Sequence, residues 1–291
     1  MIENIIDCNM DNKRYHKMLN YLIISLILCI IIVNSIIISI QDMHYKHEIM
    51  IIALNVTASI ATGLGIITVF RHGIGGNHGR SYLFLTIGIS LWFGADLYMM
   101  YSFFVMGVDD YIQITVADAL WLIGYLFFSL HLFSVIRSVD IKKNQSKTIS
   151  ILSIVIVGFI IANLISSAYY FTNEDQLKNV KIGYNAISLL VTILYPVLDL
   201  SLIVPSVIVL INIYKDYLHS ISWTLLSLSL LINAIADNGY TRDYVLGNPS
   251  SWPWDLFYIS DFIIMIGALF WYNKFYISDY ITTKRISDSN E

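Results

Sequence analysis

Six aspartates stand within or at the ends of apolar stretches of this chain: Asp96, Asp118, Asp199, Asp237, Asp255 and Asp261. An ionised aspartate at a bilayer centre costs roughly 2.5–3.5 kcal/mol on insertion scales, so a carboxylate kept at that depth is a functional candidate by default. Asp96 and Asp199 lie deepest, and the other four lie nearer the ends of their runs. No Lys or Arg falls inside a run to neutralise them. Carboxylates facing one cavity cannot all ionise unaided, which leaves shared protons, a bound cation, or hydrogen bonds from Tyr98, Trp121, Tyr195, Tyr240, Tyr258, Asn55 and Asn233. Asn233 with Asp237, and Tyr195 with Asp199, are spaced to meet on one helical face. The expected ligand-binding set is Asp96, Asp118, Asp199, Asp237 and Asp255 with Tyr98, Trp121, Tyr125, Tyr195 and Tyr258. Its ligand would be a small molecule, a lipid, a proton or a cation, and no metal or cofactor is assigned. The alternative for Asp118, Asp237 and Asp255 is a helix-end role in the headgroup layer, where Asp118 and Asp255 would meet the positive end of a helix dipole.

Those residues need helices to hold them. The chain is 57% hydrophobic and 13% charged, against roughly 45–50% and about 25% in soluble domains, which excludes a soluble globular enzyme. A net charge of −4 without a block of like charges argues against nucleic acid. Cys8 and Cys29 make neither a disulfide framework nor a zinc site. Because unpaired backbone groups are costly in hydrocarbon, each long apolar run should be a helix. Eight runs are expected, near Leu19–Ile40, Ile49–Phe70, Ser81–Phe104, Ile114–Ile136, Ile149–Tyr170, Gly183–Ile213, Ile221–Asp237 and Trp254–Tyr272. The first is too long for a signal peptide and has no A-x-A site, so it should remain in the mature protein. Thirteen of the 17 Lys and Arg fall on one side of this alternation and four on the other, placing both termini in the cytoplasm of a multi-pass cell-membrane protein and all six aspartates toward the outer half. Pro196 and Pro205 should tilt or kink the sixth run, and Trp252 and Trp254 read as interfacial anchors.

The chain also looks duplicated, as an N-terminal segment 1–18, four helices over 19–140, four more over 141–275, and a tail 276–291. Ala95-Asp96 matches Ala236-Asp237, and Asp118, Trp121 and Tyr125 match Asp255, Tyr258 and Phe262 at the same spacing. An even number of helices per unit makes this a parallel repeat about the membrane normal. The bland alternative is two unrelated helix pairs that each carry interfacial aspartates.

Other signals are fainter. A lone intramembrane histidine such as His131 is more often a bonded core residue than a ligand. The Gly-rich loop 71–80, with Arg71, His72, His78 and Arg80, could cradle a lipid phosphate but matches no complete phosphate motif, so a flexible connector is expected. Every lysine lies at or beyond the end of an expected span, which leaves none for a Schiff base within the membrane, and H-E-x-x-H and G-x-S-x-G are absent.

With Leu91-Trp92, Ala95-Asp96, Tyr98 and Ala117-Asp118-Ala119-Leu120-Trp121-Leu122-Ile123-Gly124-Tyr125, the middle of the chain resembles a family of archaeal and bacterial multi-span modules found alone or ahead of histidine kinase and diguanylate cyclase domains. In place of that family's Pro-Ser stand Ile114-Thr115. This resemblance implies a membrane input or binding module. A looser likeness, through Gly94-Ala95-Asp96 and Ala236-Asp237, is to the lysoplasmalogenase-like YhhN family of eight spans; it implies an acid and a base, Asp96 and Asp237, hydrating a lysolipid vinyl ether. The preferred expectation is an all-α, eight-span, standalone ligand-binding or sensory-type module with an outward-facing acidic cavity. The short tail implies that any signal passes to a partner membrane protein through helix contacts. The alternatives are the membrane hydrolase and a proton- or cation-coupled transporter.

Overall fold

A computed structural model describes residues 2–107, 115–137, 186–212, 217–245 and 252–277, with isolated positions between 147 and 161. Among them are seven long helices and no strand: α1 (Ile2–Ser39), α2 (Met43–His72), α3 (Gly76–Phe104), α4 (Val116–Ile136), α5 (Ala186–Asn212), α6 (Tyr217–Val245) and α7 (Trp252–Trp271). A π-helical turn, Tyr272–Tyr276, continues α7. All seven helices are long and apolar enough to cross a membrane, so the chain is a polytopic membrane protein. The expected fifth run, Ile149–Tyr170, apart from those isolated positions, the loop carrying Pro249 and the tail beyond Ile277 lie outside the described residues.

Helices α2 to α7 close into a ring in which each packs on the next and α7 returns to α2, while α1 lies outside against α7. Composition explains this placement. The most apolar span, α1, is the least buried in protein, because hydrocarbon can solvate its side chains as well as a core can. Where α1 touches α7, the close contacts are Asn34 Nδ2 donating to Ser260 Oγ at 3.1 Å and Leu26 packed over Gly267. The interior of the ring is aromatic and aliphatic, built on Tyr82, Leu85, Ile89, Trp92, Tyr125 and Phe128 from α3 and α4, with Leu226, Leu230, Phe262, Met265 and Leu269 from α6 and α7.

Two pairs of neighbours run in the same sense. Along α4 and α5 the contacts climb together, from Asp118–Tyr195 through Tyr125–Asp199 to Ser129–Ser201. Along α2 and α7 they climb from Lys46, whose ammonium lies 4.3 Å from the Trp252 ring centroid, to Thr68–Asn273 at 2.6 Å. The remaining neighbours are antiparallel, as in Trp92–Trp121 and Ser81–His131 between α3 and α4.

Several local expectations change. Region 71–80 is a tight turn, since α2 runs to His72 and α3 begins at Gly76. Gly73 and Gly76 hold φ of 81° and 68°, which L side chains rarely adopt. A Cβ on Gly79 would stand 2.4 Å from the Gly73 carbonyl oxygen, whereas one on Gly63 would meet nothing within 4 Å. Gly79→Ala should therefore lower the unfolding temperature in detergent by the equivalent of about 1–3 kcal/mol, and Gly63→Ala should leave it unchanged or raised. The helix expected to stop at Asp237 instead continues to Val245. The Asn238-Gly239 pair reads as a helix stop, but Gly239 is the seat of the Trp254 ring, and Trp254 Nε1 donates to Asp243 Oδ2 at 2.6 Å. α1 begins at Ile2, so residues 2–18 continue the first span as helix. Pro196 and Pro205 both lie inside α5, as the expected tilt or kink requires.

Candidate functional site

The aspartates lie toward the starts of α4 and α7 (Asp118, Asp255), toward the ends of α3 and α6 (Asp96, Asp237), and in the middle of α5 and α7 (Asp199, Asp261). Asp118 is the third residue of α4, where Thr115 caps the helix and the Asp118 carboxylate accepts from the Thr115 backbone N–H at 2.9 Å. The helix-end role expected as an alternative is thus real. It is not exclusive, because the other Asp118 oxygen accepts from Tyr195 of α5 at 3.0 Å.

At the centre stands Tyr125. Its hydroxyl meets Asp199 Oδ1 at 2.8 Å and also contacts Asp237 Oδ2. The second Asp199 oxygen accepts from Asn238 Nδ2 at 2.7 Å, and the second Asp237 oxygen accepts from the Tyr258 hydroxyl at 2.5 Å. Asp199 is fully buried. The Tyr195 ring lies edge-on to Tyr125, with centroids 6.1 Å apart. Asp118, Asp199 and Asp237 are thereby tied into one network by three tyrosines on α4, α5 and α7 and an asparagine on α6.

The remaining acids are set apart from that network. Asp96, 6% exposed, accepts from Trp121 Nε1 at 3.3 Å. Trp121 is held in turn by its carbonyl, which accepts from Trp92 Nε1 at 3.1 Å. Asp255 is half-buried near the start of α7. Asp261, fully buried, accepts from Ser229 Oγ at 3.0 Å and Asn233 Nδ2 at 2.8 Å, which links α6 to α7. Among the described residues none of the six carboxylates pairs with a Lys or Arg, and no group of three or more metal-ligating side chains is poised around an ion.

The donors are not those that the spacing suggests. Tyr195 donates across to α4 rather than to Asp199, and Asn233 donates across to Asp261 rather than to Asp237. Asn55 Nδ2 approaches the Asp96 backbone carbonyl at 3.4 Å, not its carboxylate. Tyr98 is half-buried and bonds none of the carboxylates. The residue missed by sequence reasoning is Asn238, and the signal for it was the unbroken helical register past Asp237. Trp252 and Trp254 fasten the start of α7 to Lys46 and to Asp243. His131 is a core residue, bonded to Ser81 Oγ through Nδ1 at 2.8 Å. A second polar cluster lies at the opposite end of the ring, where Tyr82 bonds Ser222 at 2.9 Å and Arg71 donates to the Asn273 carbonyl at 2.8 Å. Compared with models of protein families, with curated proteins and with solved structures, the chain matches none.

Proposed function

We propose that this protein is an eight-span binding module of the cell membrane, made of two parallel repeats, whose acidic site on the extracytoplasmic side takes up a proton or a small cation and couples occupancy to helix packing. The shared sense of α4 and α5 supports the eighth span, because the chain must return from one face to the other between Ile136 and Ala186. An excess of basic residues on one side of the alternation supports cytoplasmic termini.

Matched burial supports the repeat. Buried Asn55, Ala58, Ala61, Thr62, Gly65 and Thr68 of α2 fall in step with buried Asp199, Leu202, Pro205, Ser206, Val209 and Asn212 of α5. Ser81, Tyr82, Leu85, Ile89, Trp92 and Ala95 of α3 do the same with Ser222, Trp223, Leu226, Leu230, Asn233 and Ala236 of α6. Hydrogen bonds recur as well. Ser81 donates to the His131 carbonyl as Ser222 does to that of Ala268, and Asp96–Trp121 is answered by Asp237–Tyr258.

One observation carries the functional reading: a single Tyr125 hydroxyl faces two carboxylates. A phenol has one proton to donate, so only one of Asp199 and Asp237 can receive it. The other must carry its own proton and donate to the phenol oxygen, or share a cation with its neighbour. Because these contacts join α4, α5, α6 and α7, loss of the proton or cation breaks bonds between helices and shifts the packing that a membrane partner would read. Infrared spectroscopy of the purified protein tests this. A protonated-carboxyl stretching band should be present, and it should disappear in Asp199→Asn or Asp237→Asn. A wild-type protein with only ionised-carboxylate bands, and no response of those bands to added cations, would refute the proposal.

A further inference from the structure

α1 follows α7 through the span, but its apolar seat on α2 is confined to one end. Against α7 the contacts run from Asn34–Ser260 through Leu26 over Gly267 to the Tyr15 ring, whose centroid lies 5.8 Å from that of Phe275. To the apolar cluster built on Ile37, Leu256, Ile259 and Ile263, α2 contributes only Met50, Ala53 and Leu54. Beyond them the stripe of α2 that holds Ala53 runs on through Ile60, Ile67 and Arg71, about two, four and five turns along. Ile60 and Ile67 are each 47% exposed, and a Cβ on Gly63 between them would meet nothing within 4 Å. α7 shows the same change. Ile263 is 4% exposed, whereas Phe270, about two turns further on its stripe, is 43% exposed. Phe270 lies between the side of α7 on which Gly267 meets α1 and the side on which Asn273 meets α2. α1 and α2 thus part as they leave the aspartate end, and Phe270 floors the crevice between them.

Two cations stand where this crevice reaches the other end of the ring. Arg71 is exposed in the last turn of α2, and its Nη1 donates to the Asn273 carbonyl at 2.8 Å, which brings it beside the next residue of the π-helical turn, Lys274. Lys274 is exposed too, and its ammonium lies 5.4 Å from the Phe270 ring centroid and 5.6 Å from that of Phe275. Among the described residues neither cation pairs with a carboxylate. One guanidinium nitrogen bonded to a carbonyl leaves Arg71 further N–H donors to offer. Length separates the occupants that such a crevice could take. From Ile60 to Arg71 the helix rises about 16 Å, close to half of a hydrocarbon core about 30 Å thick. A helix of a partner protein would need a groove through both leaflets, and Ile37, Met50 and Ile263 close it in the other one. An apolar slot one leaflet deep with positive charge at its mouth has the polarity of a phospholipid: a chain along Ile60, Ile67 and Phe270, and a phosphate at Arg71 and Lys274.

We infer that this crevice binds one anionic glycerophospholipid of the adjoining leaflet, its phosphate held by Arg71 and Lys274 and an acyl chain laid on Phe270 between α1 and α2. A lipid seated there bridges α1 to the ring at the end where the two helices have parted, and so stabilises the packing of α1. The site shares no residue with the network of Tyr125, Asp199 and Asp237.

The test uses the full-length protein in detergent micelles, to which dioleoyl phosphatidylglycerol, dioleoyl phosphatidylcholine or soluble glycerol 3-phosphate is added. Native mass spectrometry counts the retained lipid, and thermal unfolding reads its effect. One phosphatidylglycerol should be retained per chain, with a saturable rise in unfolding temperature at a half-saturating mole fraction about fivefold or more below that of phosphatidylcholine. Glycerol 3-phosphate should give no rise, since it has no chain to lay in the crevice. Lys274→Gln should raise the half-saturating fraction of phosphatidylglycerol about fivefold. Ile67→Trp guards against misfolding of the charge variant: its side chain enters exposed space, so it should keep the lipid-free unfolding temperature while obstructing the chain and losing the response. Arg80→Gln, exposed at the same end of the ring on α3, should change nothing. Equal responses to the two phospholipids, an equal loss in Arg80→Gln and Lys274→Gln, or an undiminished response in both Lys274→Gln and Ile67→Trp would overturn the assignment. So would a response to glycerol 3-phosphate as strong as that to the lipid, which would mark a site for free phosphate esters instead. None of these outcomes touches the infrared band of Asp199 and Asp237, so the two proposals fail separately.

Discussion

Tyr125→Phe is expected to destabilise the protein more than the loss of any other single hydroxyl. The ring would remain, packed against Trp92 at 5.4 Å and Tyr195 at 6.1 Å, so the change isolates one O–H. That O–H stands between Asp199 and Asp237. Interhelical polar contacts in membranes average only about 0.6 kcal/mol, but hydrogen bonds to charged groups contribute about 1.5–3 kcal/mol. Removal also leaves two carboxyls facing each other with nothing between them. A loss of about 2–3 kcal/mol follows, measurable as a lowered unfolding temperature in detergent. Adding Asp199→Asn should recover part of it, because the amide N–H can donate to Asp237 and one charge is gone. Ser129→Ala makes the contrast: its hydroxyl donates to the Tyr125 carbonyl within its own helix and bonds the neutral Ser201, so its loss should cost less than about 1 kcal/mol. Equal stability of Tyr125→Phe and the wild type would mean that the hydroxyl bridges nothing.

The difference between what spacing announced and what folding arranged follows from the range over which each kind of information acts. Apolar runs of membrane-crossing length are a local property, and the helices answering seven of the eight were legible directly. So were the aspartates, since a charge in an apolar run stands out against its immediate neighbours. Donor identity was not legible. Spacing of i, i+4 shows only what can meet on one helix, and it suggested Tyr195 for Asp199 and Asn233 for Asp237. In the ring the same side chains reach the next helix, Tyr195 to Asp118 and Asn233 to Asp261. The correspondence of α2 with α5 was equally hidden in the letters. Asn55 with Asp199 and Gly65 with Val209 share no identity, only a place in the burial pattern, which exists once the ring has closed. Asn238 was lost for a related reason. A glycine beside it reads as a helix stop until the Trp254 ring is found lying on that glycine.

Gly124→Val is the backbone counterpart of the first experiment, and it should be the more severe. A Cβ at Gly124 would lie 2.4 Å from Trp92 Cδ1 and 2.5 Å from its Nε1. Trp92 cannot swing aside without loss, because its indole N–H donates to the Trp121 carbonyl and its ring is wedged against Tyr125 and Phe128, the latter at 4.5 Å. Gly88 on α3 meets Phe128 in the same close manner, at 2.9 Å from a Cβ placed there, so α3 and α4 approach through small residues on both sides. Overpacking of this kind costs about 1–3 kcal/mol even where neighbours can adjust. Here the neighbour that must move sits one turn before Asp96, and its hydrogen-bond partner is the residue whose indole bonds Asp96. Gly124→Val is therefore expected to lower the unfolding temperature sharply and to shift the intrinsic tryptophan emission together. Gly94→Ala further along α3, where a Cβ would meet only Leu120 at an ordinary 3.7 Å, should leave both unchanged. A Gly124→Ala, Trp92→Phe pair that loses less than the sum of its single variants would place the effect in that one contact. Strict additivity would place it elsewhere and remove the α3–α4 approach from the account of the site.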